Sequence, residues 1–101
     1  MNHLPYKIDY RYLVEGNLKC CEEFDIDMVS AISDPCREGA DLGAEINIPH
    51  DDVPSFKEPL IDDYNKLAEL EVINPLQGER MLDRIKAIDL YKRKVKGTYP
   101  I

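Results

Sequence analysis

Pro35, Gly39, Gly43, Pro49, Pro54 and Pro59 break the middle of this chain into pieces too short for any long helix. A proline removes a backbone donor and clashes with the preceding turn, and a glycine leaves the backbone too free to hold one. Long regular elements are thereby confined to the two ends of a chain of 101 residues. With 44% hydrophobic and 33% charged residues, that length suits a single domain over 1–101 with one core.

The first end alternates. Tyr6, Ile8, Tyr10, Tyr12 and Val14 share one parity, and Lys7, Asp9, Arg11 and Leu13 the other. Period two with aromatic and branched side chains predicts a strand over 6–14. A second strand follows over 18–28, with Leu18, Cys20, Phe24, Ile26 and Met28 inward and Lys19, Cys21, Glu23, Asp25 and Asp27 outward. Glu15-Gly16-Asn17 joins them as a three-residue hairpin loop, because only that length puts both apolar rows on one face. The register sets Lys7 opposite Asp25.

Ala44, Ile46 and Ile48 alternate with Glu45 and Asn47, which predicts a short third strand near 44–48 that stops at Pro49. Asp34 before Pro35 starts a single helical turn. Leu60, Ile61, Tyr64, Leu67 and Ala68 then recur at helical spacing, giving a helix over about 59–71. Asn74-Pro75-Leu76-Gln77 reads as the start of a second helix, over about 75–96. Its apolar stripe is Met81, Leu82, Ile85, Ile88, Tyr91 and Val95, and Gly97 stops it. The expected architecture is α+β: a small antiparallel sheet (hairpin 6–14/18–28 plus the strand near 44–48) packed against two C-terminal helices.

No run approaches the roughly 18 apolar residues needed to cross a bilayer, so no membrane partner is expected. The first 15 residues mix Lys7, Asp9 and Arg11 with apolar side chains, unlike a secretory leader. Three cysteines, Cys20, Cys21 and Cys36, form no disulfide pattern, which favours a reducing cytoplasmic compartment.

No constellation of residues announces catalysis. Cys20 reads as a small core residue, while Cys21 faces outward near Arg11 and Cys36 adjoins Arg37. His3 and His50 are the only imidazoles, and neither lies at a diagnostic distance from a thiol. His50-Asp51-Asp52 is the one compact group with metal-binding character, yet it lacks the spacing of a metal loop. Gly39 and Gly43 lack the context of a phosphate loop. The expectation is therefore no enzyme, no metal and no cofactor.

Charge supplies the remaining functional signal. Residues 1–71 hold 17 acidic and 6 basic side chains, and residues 72–101 hold 3 acidic and 7 basic, for a net of −7. Glu23, Asp25 and Asp27 would repeat roughly 6.5–7 Å apart along a strand. Together with Asp51, Asp52, Asp62 and Asp63 they form the candidate binding surface. Such a surface suits a small acidic protein-binding module for a basic partner, in its sharpest form an inhibitor of a nucleic-acid-handling protein of the immunity or phage/plasmid anti-defence type. Two alternatives stand beside it. One is an oligomeric accessory subunit, such as a homodimer joined through the edge of the third strand. The other is a weak nucleic-acid-binding regulator using Lys92, Arg93, Lys94 and Lys96. Nucleic acid is disfavoured by the net negative charge.

Overall fold

The computed structural model describes residues 3–101, and its N-terminal part is helical where alternation predicts strands. Helix α1 spans His3–Ile8 and α2 spans Tyr10–Phe24. Asp9 caps α2: its backbone is extended and its carboxylate accepts the Arg11 N–H at 2.9 Å. Asp25 ends the helix in the left-handed region, at φ 53°.

The hairpin 6–14/18–28 is thus corrected to two helices. A second period underlies the same residues: Tyr6, Tyr10, Leu13, Val14, Asn17, Leu18 and Cys21 recur at three- and four-residue steps. That stripe buries Leu13, Val14 and Cys21 and packs Tyr6, Tyr10 and Leu18 against them. Ile8 and Tyr12, inward on a strand, are exposed. Helical order also reverses the adjacent thiols, so Cys20 is exposed and Cys21 buried. Asn17 is no turn residue. Its amide donates to the Leu13 carbonyl and to the Tyr6 hydroxyl, both at 3.0 Å.

Asp34 does open a short helical segment: it accepts the Cys36 N–H at 2.9 Å, ahead of α3 at Arg37–Asp41. The third strand shrinks to β1, Ile46–Asn47. Its partner is β2, Ser55–Phe56, in antiparallel register with Ile46 opposite Phe56. No N-terminal strand is there for β1 to join. The helix expected over 59–71 contracts to α4, Tyr64–Leu67, capped by Asp63 through the Asn65 N–H at 3.1 Å. None of its residues is buried, so periodicity there has no core to serve.

The last helix, α5, runs Glu79–Val95, starting later than expected because Asn74 closes a separate turn through the Leu76 and Gln77 N–H groups. It ends as expected, with Lys96 and Gly97 both at positive φ and Lys92, Arg93 and Lys94 in its last turn. Ala87, Tyr91 and Val95 form its buried stripe. They pack against Leu13, Val14 and Cys21 of α2 and against Val29 and Ala31. Each fully buried aliphatic side chain contributes about 1.5–3 kcal/mol. The chain is mixed α+β and helix-rich, with α2 on α5 as its centre, α1 on α2 and α3 on α5. Among the described residues no helix is long and apolar enough to cross a membrane.

Candidate functional site

A cleft of about 470 Å³ is lined by α1, α3, the start of α5 and the chain at Ile46 and Ile48. Its walls carry four cationic side chains, Lys7, Arg37, Arg80 and Lys86, and three carboxylates, Asp41, Glu79 and Asp83. Ile8, Ile46, Ile48 and Leu82 supply the apolar lining. Among the described residues, the lining includes no histidine, cysteine or hydroxyl side chain. Charged and apolar groups thus share its walls.

Lys7, Arg37 and Arg80 are held from three different elements. Lys7, fully buried in α1, donates its ammonium to the Pro49 carbonyl and, at 2.5 Å, to the Asp52 carbonyl. This ties the helix to the loop after β1. The cross-strand pair expected between Lys7 and Asp25 does not form, because neither residue is on a strand. Arg80, at the start of α5, makes two contacts with the buried Asp34 carboxylate, at 2.6 and 3.0 Å. Asp34 also accepts the Ser33 hydroxyl at 2.6 Å. Burial alone would push the Asp34 carboxyl up, but Arg80, Ser33 and the Cys36 amide outweigh it and hold it at about 2.

Arg37 is the least conventional member. Only 1% exposed, it donates Nε to Ser33 Oγ at 3.0 Å and Nη1 to the Arg80 carbonyl at 2.7 Å and to Asp83 Oδ2 at 3.2 Å. Its Nη2 is buried and has no partner among the described residues. An unmet buried donor costs about 1–3 kcal/mol, and more on a charged group. Asp41 closes the floor by accepting the Arg80 and Met81 N–H groups at 3.0 and 2.6 Å, so the first turn of α5 is capped from α3.

The acidic residues expected to form one surface do not share an element. Glu23 lies in the last turn of α2, Asp25 is its left-handed cap, and Asp27 follows in irregular chain, all exposed. Their two-residue spacing carries no meaning off a strand. Asp51 lies 3.1 Å from His50 Nδ1, and Asp52 turns to the Val53 N–H at 2.7 Å. Asp62 pairs with Lys66 at 2.6 Å, and Asp63 caps α4. No group of three or more metal-binding side chains converges among the described residues. The His3 side chain lies outside the described residues. Burial pushes the thiols of Cys21 and Cys36 up, away from nucleophilic character.

Arg37, Arg80 and Asp83 were invisible to motif reading because 43 to 46 positions separate the contacting residues. One trace exists: Arg80 and Asp83 sit one turn apart on α5, beside its apolar stripe.

The sequence matches the family model for uroporphyrinogen decarboxylase (URO-D) over residues 2–101. No curated protein and no solved structure matches the chain. The family match overturns the inhibitor and protein-interaction reading, and with it the expectation of no enzyme. Charge distribution misled because acidic surface is common in soluble proteins of any function, whereas the residues of the cleft are scattered in sequence. Matched over nearly its entire length, the chain belongs to the uroporphyrinogen decarboxylase family.

Proposed function

We propose that the protein serves a decarboxylase-type enzyme activity, with the cleft between α1, α3 and α5 receiving a carboxylate-bearing substrate. The observation that carries this is the buried guanidinium of Arg37, whose Nη2 has no acceptor among the described residues, in a cleft also lined by Arg80 and Lys86. The family name supports the same chemistry, since a decarboxylase acts on a carboxylate.

Loss of carbon dioxide leaves an electron pair on carbon, which must then be protonated. Geometry matters first, because the breaking bond must be held in one orientation. Arg37 and Lys86 neutralise and fix the carboxylate, and the isoleucine and leucine side chains hold the carbon frame. Asp41 and Asp83 keep the cleft from being uniformly positive, which disfavours indiscriminate anion binding.

Carbon dioxide release from uroporphyrinogen by the purified protein tests the reading. Release is expected, with the substrate KM raised a few-fold by Lys86→Ala at an exposed wall position. Absence of release, with uroporphyrinogen failing to bind, sinks it.

A further inference from the structure

We infer that the run from Phe24 to Ile32 is a self-association face, on which a second copy of this chain docks about a two-fold axis. None of these residues lines the cleft, so the face and the cleft can be tested separately.

The chain exposes 7081 Å² of surface for a mass of 11.6 kDa. A folded monomer of that mass exposes about 5,800 Å². The Cα radius of gyration is 15.6 Å, where about 13 Å is usual for a compact domain of this length. The surplus of about 1,200 Å² per copy becomes about 2,400 Å² in a pair, within the range of obligate homodimers.

One run of chain concentrates apolar surface. Phe24 is 71% exposed, Met28 57% and Ile32 67%, and Ile26 is exposed between them. From Met28 onward the side chains alternate. Val29 and Ala31 enter the core, while Met28 and Ile32 turn out to solvent. The Val29 N–H donates to the Pro100 carbonyl at 3.0 Å, which brings the exposed Ile101 alongside. Large apolar side chains gathered in this way mark an interaction surface, whereas scattered ones do not.

Charge selects a second copy as the occupant. The exposed Glu23, Asp25 and Asp27 alternate with the apolar side chains. Lys94 and Lys96, also exposed, stand at the end of α5, and Lys96 is only four residues before Pro100. That separation keeps Lys96 within about 14 Å of Pro100, beside the run. The same patch thus carries both signs. A two-fold axis sets the acidic row of each copy against the basic end of the other, so the patch is its own complement. The edge of β1, only two residues long, offers no comparable joint.

Sedimentation velocity from about 1 to 100 µM tests the face, and a dimer with a dissociation constant of about 10 µM or below is expected. Phe24→Glu and Ile32→Glu should each raise that constant at least about tenfold, because each places an unpaired charge in the joint. Both side chains are exposed in the single chain, so helical circular dichroism should be retained. Leu67→Glu, at an exposed position outside the run, should leave the constant unchanged. Peroxide oxidation of the unsubstituted protein gives a second reading. Met28 should react several-fold more slowly at about 100 µM than at about 1 µM, with Met81 at the far end of α5 unaffected. A monomer throughout that range, which leaves the face to an unlike partner, overturns the inference. So does a dimer that Leu67→Glu weakens as much as Ile32→Glu, or one in which Met28 gains no protection.

Discussion

Asp34 and Arg80 face each other through two parallel hydrogen bonds, Oδ2 to Nη2 at 2.6 Å and Oδ1 to Nη1 at 3.0 Å. The pair joins the turn before α3 to the first residues of α5. Arg80 Nη2 also reaches the Lys7 carbonyl at 3.3 Å, which adds the end of α1 to the same junction. One ion pair thereby positions three walls of the cleft.

The pair makes stability depend on acid in a defined direction. The Asp34 carboxyl sits at about 2 in the folded protein, against an ordinary value of 3.8. Folding therefore favours the ionised form. The contribution is complete above about pH 4 and is lost as pH falls from there towards 2. Arg80→Ala leaves a buried carboxylate without its cation and should cost about 3–5 kcal/mol at neutral pH. The Asp34 carboxyl then rises, so the acid-unfolding limb moves to higher pH. Circular dichroism during acid titration reads both effects, and coincident limbs for the two proteins would contradict this role for the pair.

Gly78 precedes α5 with an ordinary φ of −79°, so the reason for glycine is space. A Cβ added there would lie 2.8 Å from Asp41 Cγ. Gly78→Ala must therefore displace the carboxylate that caps Arg80 and Met81. The expected loss is about 1–2 kcal/mol, as for removal of a cap. Asp41→Ala should cost a similar amount, and the double variant little more than either one. Additive losses in thermal or urea unfolding would separate the two residues and refute the steric account.

How much was legible in the sequence follows from where each signal competes. The basic end of α5 and its stop at Gly97 were readable because cap, dipole and periodicity agree there. The N-terminal hairpin was misread because residues 6–21 satisfy both period two and period 3.6. Asp9 decides between them by capping, and Asn17 by bridging to Tyr6 and to the Ser30 N–H. Aromatic and branched residues raised the strand expectation, and packing against Ala87 and Tyr91 overrode it. The cleft was beyond reach, since Lys7, Arg37 and Arg80 come from separate helices whose packing no local pattern encodes.

Tyr91 is fully buried, and its hydroxyl donates to the Ser30 carbonyl at 2.8 Å. This bond fastens the segment after α2 to the middle of α5. Tyr91→Phe keeps the ring and leaves a buried carbonyl unmet, at a cost of about 1–2 kcal/mol in urea unfolding. Burial also pushes the phenol pKa upward, so Tyr91 stays protonated where exposed tyrosines ionise. With the folded value above the unfolded one, its contribution is complete below about pH 10 and fades as pH rises further. In Tyr91→Phe this alkaline loss should be smaller, and an unchanged alkaline limb would remove Tyr91 from the account.

The three thiols report directly on helix against strand at the N-terminal end. Strand parity turns Cys21 outward and Cys20 inward, whereas α2 exposes Cys20 and buries Cys21. Cys21 donates its thiol to the Met28 carbonyl at 3.4 Å, and Cys36 to the Pro54 carbonyl at 3.4 Å. Both are shielded, and burial raises the pKa of each, which lowers the thiolate fraction available for attack. Alkylation of native protein at about pH 8 followed by peptide mass spectrometry should therefore label Cys20 alone, with Cys21 and Cys36 modified only after denaturant is added. Because Cys20 and Cys21 are adjacent, fragmentation must place the label on the residue itself. A first label on Cys21 would restore the strand and dissolve the α2–α5 core.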